Sequence, residues 1–141
     1  MAARGSAQWD GDLKTGSGSF TAGDSLSGEY SFKSRFEDGP GANPEQLVAA
    51  AHASCFSMAL SLVLGEAGTP PEQIKTDAKV TLRMLDEGPT ITKVDLVTVA
   101  KVPDSDEAAF QQAAEAAKSG CVISRALAGV PEITLEATLE S

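Results

Sequence analysis

Five side chains in this sequence are of types that do chemistry together: Cys55, Cys121, His52, Arg35 and Glu45. The only histidine and one of the two cysteines stand three residues apart in AAHASCFSMALSLVLG, the most apolar segment of the chain. On a helix, residues three apart share a face, so a Cys–His nucleophile pair of the hydrolase type is one reading of His52 and Cys55. The plainer one makes His52 a buried or interface histidine with a single hydrogen bond. Cys121 comes far downstream of Cys55, so the two do not form a CxxC motif and only folding can bring them together. Free cysteine is among the most buried residue types, and two inert core thiols would suit the composition. Against that stands the position of Cys121, directly after Gly120 and before or at the start of a short helix, where a thiol's pKa is lowered. A zinc site would have to combine His52, Cys55, Cys121 and a carboxylate without recognisable ligand spacing.

Arg35 and Glu45 flank the breaker-rich loop EDGPGAN, which leads into the cysteine helix. Taken singly, Arg35 is a charge on the polar face of a strand and Glu45 a carboxylate in a helix's first turn. Together they allow a salt bridge aimed at Cys55. A guanidinium beside a thiol favours the thiolate, and a carboxylate can hold that guanidinium in place.

The elements that would position these groups follow from hydrophobic periodicity and turn signals. AQWDGDL and SGSFTAG read as short strands in a Gly/Ser-rich region, and GEYSFKSRF alternates with Tyr30, Phe32 and Phe36 on one face. Asn43 is a good N-cap, Pro44 suits the first helical position, and Gln46 completes a capping-box spacing. The helix that follows is apolar almost all round, as expected of one surrounded by protein. It is stopped by Gly65 or Gly68 with Pro70 and Pro71 beyond. Ser54, Ser57 and Ser61 form a narrow stripe that would admit another backbone. Ala78, Val80, Leu82 and Met84 alternate as a half-buried antiparallel strand, and DEGP turns it into TITKVDLVTVAKV. DSDEAAFQQAAEAAKSG is a second helix with Phe110, Ala113, Ala114 and Ala117 on its apolar face. VISRALAG is a short helix and PEITLEATLE a last strand. The expected fold class is α+β, mainly antiparallel sheet with a long buried central helix, in the order βββ-α-ββ-α-α-β. A helix apolar on every side is hard to cover within 141 residues, so a second subunit is expected to supply the missing wall.

The chain has the length of one domain, 1–141. Its formal charge of −9 argues against nucleic acid or an anionic membrane as partner. Leu47 to Leu64 is long enough to test as a membrane span, but His52 and three serines interrupt it and no Lys or Arg closely flanks it. MAARGSAQWDGD has no apolar signal region, so the expected compartment is the cytoplasm, where stable structural disulfides are uncommon.

RFEDGPGANPEQLVAAAHASCFSMALSLVLGEAG, followed much later by AAKSGCVISRAL, resembles the OsmC/Ohr family of thiol-dependent peroxidases. AAHASCFSMALS is closer to the osmotically inducible protein C branch than to the organic hydroperoxide resistance branch. AQWDGDLKTGSGSF also fits, so the resemblance covers essentially the whole chain. It implies an intertwined homodimer with two active sites at the subunit interface. It further implies that Cys55 is the peroxidatic and Cys121 the resolving cysteine, that Arg35 stabilises the thiolate and the leaving oxygen, and that Glu45 orients Arg35. The implied reaction reduces an organic hydroperoxide to its alcohol: Cys55 becomes a sulfenic acid and condenses with Cys121 to a disulfide. An external dithiol, of the lipoyl type in this family, then reopens it. No metal, flavin or haem is required. Phe56, Met58 and Leu60 would offer apolar surface to bulky alkyl peroxides. Two further readings are a redox-sensing or ligand-binding stress protein whose thiols cycle too slowly for turnover, and a hydrolase using Cys55 and His52.

Overall fold

A computed structural model of the protein describes residues 1–140. The chain groups into two units, Met1–Leu47 and the remainder from Val48 on. The first holds an antiparallel meander of β1 (Gly5–Asp10), β2 (Ser17–Ala22) and β3 (Leu26–Tyr30). Its pairing places Gly18 between Trp9 and Tyr30, whose rings pack together at 5.5 Å between centroids. A β-carbon at Gly18 would meet both rings within 2.7 Å, so the aromatic pair requires glycine there.

The alternation in GEYSFKSRF does not continue as a strand. After Tyr30 the chain turns into a short helix, α1 (Phe32–Phe36), which adds one element to the expected order. The cause is local. Ser31 accepts a hydrogen bond from the Ser34 amide, and the Ser34 hydroxyl accepts one from the Ser31 amide, a reciprocal capping box. Phe32 and Phe36, four apart, then stack on one helix face with centroids 5.0 Å apart. Arg35 is thus a helical residue, not a strand residue.

The long helix α2 (Pro44–Glu66) begins as its sequence indicates. Asn43 Oδ1 accepts from the Gln46 amide at 2.8 Å, while Asn43 Nδ2 donates to the Ser34 carbonyl at 2.9 Å. Such an N-cap contributes about 1 kcal/mol. The end is a Schellman turn: Thr69 N–H donates to Leu64 O and Gly68 N–H to Gly65 O, with Gly68 at φ +84°. Gly68, not Gly65, is the stop.

The second unit contains β4 (Gln73–Leu85), β5 (Gly88–Lys101) and β6 (Glu132–Glu140) in that sheet order. β4 and β5 form a hairpin closed by Leu85 and Gly88, with a bulge near Thr81. β6 pairs with β5 in parallel. A parallel neighbour needs a long crossover, which α3 (Glu107–Gly120) and α4 (Val122–Ala126) provide. Asp106 caps α3 through the Ala109 amide. Phe110, Ala113, Ala114 and Ala117 are all buried, as the periodicity of that helix predicts. Met84, expected to be half-buried, is exposed because it lies beside the hairpin tip on an edge strand.

His52, Phe56, Leu60 and Leu64 make the buried stripe of α2, each at most 1% exposed. Phe56, Leu60 and Leu64 pack in one core with Val94, Leu96, Phe110 and Ala114. Ser57 ties the helix to the sheet through Thr76 at 2.8 Å, and Thr76 meets the fully buried Thr98 at 3.0 Å. The opposite face is open: Met58 is 76% and Leu62 62% exposed. The expectation of a helix enclosed all round therefore fails within one chain. Helix α2 is long and apolar enough to cross a membrane by length and composition, yet its core stripe packs on the protein's own sheet and crossover helix.

Candidate active site

In the first unit, the capping box of α1 and the N-cap of α2 bring Arg35 and Glu45 together. Arg35 Nε donates to Oε1 and Oε2 of Glu45 at 3.1 and 3.2 Å, and Nη2 donates to Oε1 at 2.8 Å. This is a close-fitting ion pair of the strong, charge-assisted type. Glu45 is buried, whereas the Arg35 side chain keeps 38% of its surface exposed. The guanidinium also lies 5.3 Å from the Phe36 ring centroid. Of arginine's five N–H donors, those on Nη1 have no partner among the described residues. The pair is held from two sides and still has hydrogen-bonding capacity for another anion.

In the second unit, α2 carries Cys55 and the α3–α4 junction carries Cys121. Cys121 accounts for both helix boundaries: its amide donates to Ala117 O, and it is the N-cap of α4. Both cysteines are free thiols, with Cys121 buried and Cys55 only partly so. The fold brings them into mutual influence despite their separation in sequence. Burial pushes the Cys55 thiol up, and the neighbouring Cys121 pushes it further, outweighing the pull of the Ile123 and Val122 amides. Burial also acts to raise Cys121, but a hydrogen bond from Cys55, the Ser124 and Ile123 amides and the Ser124 hydroxyl carry it below the ordinary value. The two thiols titrate as a pair. The Cys55 thiolate is thus disfavoured and the Cys121 thiolate favoured relative to free thiols.

His52, three residues before Cys55 on α2, is fully buried. Its Nε2 lies 2.7 Å from Ser124 Oγ, and its Nδ1 is buried without a partner. Burial holds the imidazole below its ordinary pKa, so it is neutral at pH 7. The plainer reading of His52 is the observed one. With Nε2 engaged by Ser124, no hydrogen bond joins His52 to Cys55 as a hydrolase would need. Ser124 was not among the residues singled out from sequence, and it is the hydrogen-bond partner of His52. Its signal was its place three residues after the N-cap Cys121. The apolar surface expected from Phe56, Met58 and Leu60 also divides: Phe56 and Leu60 are core residues, and only Met58 faces outward.

A family model described as OsmC-like protein matches residues 37–136. The chain belongs to the OsmC-like family. It is 45% identical over 140 residues to peroxiredoxin OsmC of Escherichia coli strain K12, covering 98% of this chain and 96% of that protein. It is also 34% identical over 96 residues to the organic hydroperoxide resistance protein OhrB of Bacillus subtilis strain 168, covering 68% and 69% of the two chains. A crystal structure of an organic hydroperoxide resistance protein OsmC from Legionella pneumophila shares the fold, with a TM-score of 0.71, 20% identity and coverage of 98% and 97%. As an OsmC-like protein with this likeness to a curated peroxiredoxin, the chain is a cysteine-based peroxidase.

Proposed function

We propose that this OsmC-like protein reduces organic hydroperoxides to alcohols through Cys55 and Cys121, in stress defence in the cytoplasm. The observation that carries the reading is a pair of free thiols, one partly exposed on α2 and one buried at the head of α4, each of which shifts the other's acidity. The Cys55 thiolate attacks the distal peroxide oxygen, the O–O bond breaks, and the alkoxide leaves and is protonated to the alcohol. Cys55 is then a sulfenic acid, and Cys121 condenses with it to a disulfide with loss of water. An external dithiol, of the lipoyl type by family resemblance, restores both thiols by exchange.

Cys55 needs a cation to become the ionised thiol, because burial and Cys121 both hold its proton. Arg35 is that cation in this proposal, Glu45 is the residue that orients it, and assembly of a homodimer completes the arrangement. The open face of α2 bearing Met58 and Leu62 supports the dimer, since a large apolar patch on a single chain marks an interaction surface. Sedimentation at low micromolar concentration should find no folded monomer. A stable folded monomer overturns the assembly.

The deciding experiment treats reduced protein with one equivalent of an alkyl hydroperoxide and reads the product by mass spectrometry. An intramolecular Cys55–Cys121 disulfide, with one alcohol formed per chain, is expected. If neither cysteine is oxidised while the peroxide persists, the reading falls.

A further inference from the structure

Ser34 and Asn43 have no part in the chemistry just described, yet they tie α1 to the head of α2. Ser34 is buried and its hydroxyl is fully used. It accepts from the Ser31 amide at 2.8 Å and donates to the Ala42 carbonyl at 2.7 Å, the nearer of two carbonyls within reach. Asn43 answers from the other segment. Its Nδ2 donates to the Ser34 carbonyl at 2.9 Å, while its Oδ1 holds the Gln46 amide at 2.8 Å. The Ala42 amide donates to Glu29 O at 2.9 Å, so the same stretch is also fastened to the end of β3. Arg35 directly follows Ser34, and Glu45 comes two residues after Asn43, so the ion pair is the next cross-link along the same two segments.

The ion pair does not hold this geometry alone. The Arg35 side chain is 38% exposed, where solvent screens the charges and ordering two long side chains costs rotamer freedom. Hydrogen bonds between buried neutral groups escape that screening, and breaking one leaves a desolvated polar group without a partner. The neutral contacts therefore set the spacing of the two segments, and the ion pair sets the angle of the guanidinium. We propose that Ser34 and Asn43 are positioning residues for peroxide reduction, clamping α1 to the first turn of α2 so that the Arg35 guanidinium is held in one place with its Nη1 donors free. The inference rests on the reading of Arg35 as the cation that favours the Cys55 thiolate. A guanidinium held in one place serves the thiolate and the leaving oxygen in every chain, whereas one that wanders spends part of its time in solvent. The effect of the clamp passes wholly through Arg35, which a general loosening of the fold would not do.

Rapid-quench mixing of reduced protein with tert-butyl hydroperoxide, read by mass spectrometry, gives the rate of Cys55 oxidation. A double-mutant cycle with Arg35→Ala then shows the route of each effect. Asn43→Ser keeps a capping oxygen for the Gln46 amide but is too short to reach the Ser34 carbonyl. Ser34→Ala removes the link to Ala42. Each should slow Cys55 oxidation about fivefold, the effect of roughly 0.7 of a unit in thiol acidity. Added to Arg35→Ala, neither should slow it further by more than about twofold. In a Cys121→Ser background, where Cys55 titrates alone, each should also move the pH midpoint of iodoacetamide alkylation upward by a similar amount. Wild-type oxidation rates in both variants, an unmoved midpoint, or a loss that persists at full size without the guanidinium overturns the proposal. Should Ser34→Ala fail to fold, Asn43→Ser decides by the same criteria. Arg35→Ala alone keeps the two levels apart. If it is oxidised at the wild-type rate, the assignment of Arg35 has failed and the clamp falls with it. If it is slow while both clamp variants react normally, only the clamp is lost.

Discussion

The two functional clusters of this chain are built on opposite principles. Arg35 and Glu45 are fully charged, joined by three short hydrogen-bond contacts, and open to solvent on the arginine side. Cys55, Cys121, Ser124 and His52 are uncharged or weakly acidic and mostly buried, with a hydrogen bond of 2.7 Å between His52 and Ser124. Burial and the neighbouring Cys121 disfavour the Cys55 thiolate, so the thiol cluster by itself does not activate Cys55. In the function proposed above, a guanidinium supplies the positive charge that would favour the thiolate.

The largest effect should come from the proposed peroxidatic residue. Cys55→Ser should abolish peroxide consumption, a loss of more than about a thousandfold, because an unactivated serine hydroxyl is a weak nucleophile at its free pKa. Cys121→Ser should still consume about one peroxide per chain and stop at a trappable sulfenic acid. Counting alcohol released per chain measures both. Retained turnover in Cys55→Ser would move the chemistry to Cys121, the thiol that the single chain already favours as the anion.

A smaller loss should follow from dismantling the charged cluster. Arg35→Ala should slow peroxide reduction and iodoacetamide alkylation of Cys55 at pH 7 by about tenfold or more, since each unit gained in thiol pKa costs a factor of ten in thiolate. Glu45→Gln should do so more mildly, because the guanidinium keeps its charge but loses its bidentate anchor. If both variants react at the wild-type rate, the two clusters do not cooperate and the comparison fails at its central point.

Much of this was legible in the sequence wherever a periodic pattern ran long enough. The apolar face of α3, the Asn43 cap and the strands β4 to β6 lie where hydrophobic repeats and turn residues placed them. The reading failed at Phe32–Phe36, where tyrosine and phenylalanines at even spacing satisfy a strand period and the last two also satisfy a helical one. The Ser31–Ser34 capping box decided that contest, and two serines are a faint signal. The four residues Arg35, Glu45, Cys55 and Cys121 came from motif resemblance more than from spacing. Ser124 was missed because its importance lies in a contact with His52 across the fold, which no local pattern encodes. The parallel pairing of β6 with β5 was likewise invisible, since partner choice depends on where the α3–α4 crossover returns the chain.

The smallest effect tests the neutral state of His52, on which the direction of its hydrogen bond to Ser124 depends. Burial lowers the folded-state pKa of His52 below 6.5, whereas the unfolded chain has no such burial. As pH falls through 6.5, the unfolded state therefore binds a proton that the folded state does not, and stability declines with acidity. That contribution is fully present above the unfolded value and is lost as pH drops toward the lower folded one. One proton corresponds to a slope of at most about 1.4 kcal/mol per pH unit. His52→Gln retains an N–H for Ser124 but cannot titrate, so its stability should fall less steeply between pH 7 and pH 5. Urea midpoints for both proteins at matched concentration give the comparison, which holds any subunit association constant and cancels the carboxylates common to both. Parallel slopes would mean that His52 takes up its proton in the folded protein. Nδ1 would then bear a hydrogen, and burial would not hold the imidazole below its ordinary pKa.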